Sequence, residues 1–97
     1  MVKYENEKLT IKINNKLTEN IIDNVKKEIE SVKIENKKIS EMELDFKDIS
    51  EIDFFGYQFI YLLINIFSGK YSIEKNKINI IKSNIIENFE NRMGLSL

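Results

Sequence analysis

The spacing of apolar positions divides the chain into strands that alternate with helices. Leu9, Ile11 and Ile13 alternate with Lys8, Thr10 and Lys12, the period-two pattern of a strand with one buried face. Val2 and Tyr4 predict a shorter strand before it, joined through Glu5-Asn6-Glu7 as a hairpin. A helical period then takes over. Ile22, Val25, Ile29 and Val32 share one side of a helix, and Asp23, Lys26, Lys27 and Glu30 fill the other. Thr18 is the expected N-cap, with Leu17 placed to staple against Ile22. Met42, Leu44 and Phe46 alternate with Glu41, Glu43 and Asp45 as another half-covered strand. Lys47 to Ile52 reads as a link, Phe54 to Ser68 as a second helix and Tyr71 to Asn76 as a connector. Ile78 and Ile80 mark a last strand. Asn84 with Glu87 gives a capping-box pattern, and Ile85 or Ile86, Phe89 and Met93 form the stripe of a terminal helix.

The order is β-β-α-β-α-β-α. It predicts one α/β domain over residues 1–97, a mixed sheet with helices packed on it.

The central helix can be resolved by angle, at about 100° per residue. Gly56, Phe59, Ile60, Leu63, Ile66 and Phe67 cluster on one side, the expected core face. Phe54, Tyr57, Gln58, Tyr61, Asn65 and Ser68 cluster on the other. That second set carries no charge in a chain whose residues are 32% charged. Three of its members are aromatic, a composition typical of protein-binding patches. The competing readings are a helix buried on both sides and a chance absence of charge.

Composition narrows the chemistry. Cysteine and histidine are absent, which removes thiolate sites and the usual general base near neutral pH. The three glycines, Gly56, Gly69 and Gly94, cannot build a phosphate-binding loop. A formal net charge of −1 argues against a nucleic-acid surface. The apolar stretch Phe54 to Phe67 is shorter than the roughly 20 residues of a membrane span. The N-terminus lacks the apolar run of a signal peptide, so the chain reads as soluble and cytoplasmic, with no membrane insertion. Asp45, Asp48, Glu51 and Asp53 are better read as a cap and solvated loop charges than as a metal site or an acid–base pair.

The run Leu44-Asp45-Phe46 through Ile52-Asp53-Phe54-Phe55-Gly56 and into an apolar helix resembles the signature of STAS domains. This is the family of anti-sigma-factor antagonists and related modules. Asp45, Ile52, Asp53 and Gly56 match its pattern by type and spacing, and Met93-Gly94-Leu95 is similar to the turn that closes the family's last helix. The element order fits the whole chain. The resemblance implies a non-catalytic, cytoplasmic bacterial regulator without cofactor, whose partner is an anti-sigma factor with a kinase-type fold or another signalling protein. In phosphorylated members a Ser or Thr directly precedes the glycine. Here Phe55 fills that slot, so the phospho-switch is not carried over, and Ser50 lies outside it.

The expected partner-binding residues are therefore Asp53, Phe54, Phe55, Gly56, Tyr57, Gln58, Tyr61 and Asn65. Self-association through the exposed aromatics stays open. Two alternatives remain: an accessory STAS subunit docking onto an ABC-type transporter, and a small-ligand or metal binder using the acidic loop.

Overall fold

The computed structural model describes residues Met1–Leu97. Strands β1 (Val2–Glu5), β2 (Lys8–Lys12), β4 (Glu41–Phe46) and β6 (Ile78–Lys82) form one mixed sheet in the order β1-β2-β4-β6. The pair β1–β2 is antiparallel, and β2–β4 and β4–β6 are parallel. Helices α1 (Glu19–Ser31), α2 (Phe54–Tyr71) and α3 (Asn84–Met93) supply the crossovers and the covering layer. The expected α/β architecture with a mixed sheet is present.

The alternation read from the sequence decides which sheet face is covered. Registered rows such as Val2, Ile11, Leu44 and Ile80 alternate with rows such as Lys3, Thr10, Glu43 and Asn79. The apolar rows join the core, where Leu9, Ile11 and Leu44 are fully buried. The polar rows stay at least partly in solvent except at Asp45, which is buried in β4 and not the solvated charge expected, and the Lys8–Glu43 ion pair spans two strands there at 3.7 Å. The β1–β2 hairpin turns on Asn6 and Glu7, both at positive φ (52° and 64°), the handedness that matches strand twist.

The link expected over Lys47 to Ile52 is instead partly a strand. β3 (Asn15–Leu17) and β5 (Ile49–Ile52) pair in parallel as a second, two-stranded sheet. They continue β2 and β4 after a kink, with Ile13 N–H donating to the Asp45 carbonyl and Asn15 N–H to the Asp48 carbonyl. Neither segment has the length or alternation that marks a strand in sequence. Their register matters for everything that follows. Leu17 pairs with Ile52, so the N-cap positions Thr18 and Asp53 both come one residue later, and α1 and α2 start side by side.

Helix ends depart from expectation at three places. Thr18 occupies the N-cap position of α1 but makes no side-chain cap bond. At α3, Ser83 rather than Asn84 is the cap, accepting from the Ile86 amide at 3.3 Å. Helix α2 runs past Ser68 to Tyr71 and ends on Ser72 in the left-handed region. Gly94 closes α3 at φ 66°, as the Gly-Leu turn predicts.

Candidate functional site

The corner is organised by Asp53. Its carboxylate accepts from the Gly56 amide at 2.7 Å, which caps α2 in its first turn. The other carboxylate oxygen accepts from the Glu19 amide at 3.0 Å, the first residue of α1. One side chain thus satisfies free N–H groups at two helix starts and stands at the positive end of both dipoles. This explains why Thr18 need not cap α1 itself. Gly56 lets this happen. A Cβ there would lie 1.9 Å from the carbonyl oxygen of Leu17, so the close approach is to strand β3.

Phe54 and Phe55 stand beside this cap, 50% and 52% exposed, with rings edge to face at 6.5 Å. Exposed rings together mark an interface more often than chance surface. Gln58, Tyr61 and Asn65 are also exposed and continue the corner along α2. The structure therefore brings together seven of the eight predicted site residues as a cap and an outer face, with Gly56 buried beneath them.

Tyr57 does not belong to that face. It is 4% exposed, its ring lies 5.2 Å from that of Phe89, and its hydroxyl donates to Glu90 Oε2 at 2.7 Å. The cause is α3, which covers this flank of α2. Ile66 errs in the opposite direction: expected in the core, it is 57% exposed. Leu62, assigned to neither face by angle, is exposed too. The outer stripe is thus Phe54, Phe55, Gln58, Tyr61, Leu62, Asn65 and Ile66, and no charge occurs from Phe54 to Gly69.

Glu90 was not visible as a site residue, although it shares the inward face of α3 with Ile86 and Phe89. Its carboxylate also accepts from Lys82 Nζ at 2.8 Å and from the Leu97 amide at 3.0 Å. Burial pushes this carboxyl up, but Lys82, the Tyr57 hydroxyl and the Leu97 amide outweigh it, and the net displacement is below the ordinary value. Burial first, and then the Glu90 carboxylate, drive the Tyr57 phenol well above its ordinary range. This cluster ties β6, α2 and α3 together. Met93, expected in the same stripe, is half exposed instead.

Three of the four acidic residues Asp45, Asp48, Glu51 and Asp53 have separate partners, and the Glu51 carboxylate has none. Asp45 accepts from the Lys47 amide at 3.2 Å, Asp48 lies 3.9 Å from the Lys12 ammonium, and Asp53 caps. Nowhere do three or more acidic side chains converge in a way that could hold a metal ion. The Ser50 hydroxyl donates to the Asn15 carbonyl at 3.0 Å, tying β5 to β3. No helix is long and apolar enough to cross a membrane. Compared with protein-family models and with curated proteins, the chain matches none.

Proposed function

We propose that this chain is a non-catalytic regulatory protein of STAS type, which binds a signalling protein partner through the α2 corner and outer stripe. The partner class is the one the motif implies, an anti-sigma factor with a kinase-type fold or a related signalling protein. The observation that carries the reading is the stripe itself: half-exposed Phe54, Phe55 and Tyr61 on one uncharged helix face, beside a rigidly capped helix start. Aromatic side chains of this kind act as anchors because they bring large area at low entropic cost. Support for the family comes from Asp53 and Gly56, whose spacing in the motif has a structural reason here, the double cap and the Leu17 contact.

Binding in this reading is not switched by phosphate at the corner, because Phe55 fills the acceptor slot. The test is affinity purification with wild type, Phe54→Ala and Tyr61→Ala as parallel baits. A signalling protein retained by wild type and lost from both variants supports the reading. Equal retention by all three places the interface elsewhere, and a membrane-associated ATPase in the retained fraction favours the transporter-subunit reading instead.

A further inference from the structure

We infer that the outer stripe of α2 also pairs with a second copy of this chain, antiparallel across a two-fold axis near Tyr61 and Leu62. Self-association and partner capture then compete for one surface. The inference rests on the stripe being the binding surface proposed above, and it supplies a control that the missing phosphoacceptor cannot.

Three observations lead to it. The stripe carries no charge from Phe54 to Gly69, so two copies can meet along it without burying an unpaired ion. Exposed apolar residues are distributed about its middle. Gln58 of one copy falls opposite Asn65 of the other, and Tyr61 opposite Leu62, when the axis passes between Tyr61 and Leu62, as an isologous contact requires.

The third observation is charge polarity. Helices α1 and α2 start together at the Asp53 double cap, and their ends line one cavity. Exposed Glu19 and Glu51 stand at the starting end and outnumber exposed Lys16, which is registered opposite Glu51. At the far end exposed Lys33, Lys37 and Lys70 outnumber exposed Glu30 and Glu35 on the rim of that cavity, and none of the three lysines takes part in an ion pair. A parallel pairing would align like charges. The antiparallel one brings the acidic end of each copy to the basic end of the other, on the same α1-side flank. These charges also suit each helix's own dipole. A charge exchange between copies separates the two roles.

The area sets the strength. Five side chains that are each about half exposed offer on the order of 500 Å² per copy, taking 150–250 Å² for a fully displayed ring. A standard interface buries about 800 Å² per partner, so the dimer belongs to the weak class that forms only as concentration rises.

Sedimentation equilibrium on the full chain, over a concentration series at low and high salt, tests this. Wild type is expected to pass from monomer to dimer, more readily at low salt. Leu62→Arg, which sets two guanidinium groups at the axis, should stay monomeric with an unchanged thermal midpoint. Lys70→Glu should weaken association about tenfold, and adding Glu19→Lys should restore it to within about threefold. A wild type that remains monomeric throughout overturns the inference. So does a dimer that Leu62→Arg leaves intact, or a double variant no better than Lys70→Glu alone. Partner capture by a strictly monomeric wild type would overturn self-pairing alone. A dimer abolished by Leu62→Arg, with partner capture indifferent to Phe54→Ala and Tyr61→Ala, would instead remove the partner reading and leave the dimer.

Discussion

A Cβ on Gly56 would fall 1.9 Å from the Leu17 carbonyl oxygen and 2.6 Å from its carbon. Both atoms belong to backbone held in the β3–β5 pair, so they cannot swing aside. In an unobstructed helix Gly→Ala gains about 0.5–1 kcal/mol. At Gly56 the overlap reverses the sign, and Gly56→Ala should lose about 1–3 kcal/mol in urea denaturation. Gly69 in the same helix is the internal control: nothing lies within 4 Å of its would-be Cβ, so Gly69→Ala should be stabilising. Equal responses at the two positions would remove the packing argument for Gly56. Asp53→Ala should cost more than the roughly 1 kcal/mol of an ordinary cap, because two amides lose their acceptor. Sequence reading reached Asp53 as a cap and Gly56 as a position on the core face. It could not see the second amide, since Glu19 lies 34 residues away and meets Asp53 only through the β3–β5 register.

Helix α2 shows what periodicity can and cannot resolve. The helix is apolar nearly all round, so the contrast that fixes the orientation of α1 is lacking. An angular sorting placed Phe59, Ile60, Leu63 and Phe67 correctly in the core and misplaced Tyr57 and Ile66, which lie at its margins. The margins are set by neighbouring elements, chiefly α3 over Tyr57, and those contacts are long-range. Strands β3 and β5 were missed for a related reason: three and four residues are too few for a period to register. The corrected faces make a sharp comparison. Leu63 is 5% exposed, and Leu63→Ala should destabilise by about 2–5 kcal/mol. Tyr61 is 53% exposed with no hydrogen bond from its hydroxyl to the rest of the chain, and Tyr61→Ala should stay within about 0.5 kcal/mol of wild type. A Tyr61 variant that unfolds as readily as the Leu63 variant would mean that the stripe is structural.

At the scale of the molecule, the order of strands and helices was legible because each long element carries its own period. What joins them at the far side was not. Glu90 gathers Lys82 from β6, Tyr57 from α2 and the Leu97 amide beyond α3, contacts that no local pattern announces. The linkage has a definite sign. The folded Glu90 carboxyl titrates below its ordinary value of 4.5, so above that pH it is ionised in both states and the full stabilisation is present. As pH falls below 4.5 the unfolded chain takes up the proton first, and stability declines until the folded carboxyl is also protonated. On the alkaline side the folded Tyr57 phenol holds its proton while the unfolded one loses it above pH 10, so stability declines again as pH rises through that value. Urea unfolding across pH should therefore fall away at both ends. Glu90→Gln should be less stable at neutral pH, because Lys82 and Tyr57 lose a charged partner, and its acid limb should be shallower than wild type's. Tyr57→Phe keeps the ring against Phe89 and loses one hydrogen bond to an ionised carboxylate, which costs about 1.5–3 kcal/mol, and its alkaline limb should flatten. An acid limb of unchanged steepness in Glu90→Gln would assign the pH dependence to other carboxylates and leave Glu90 a packing residue.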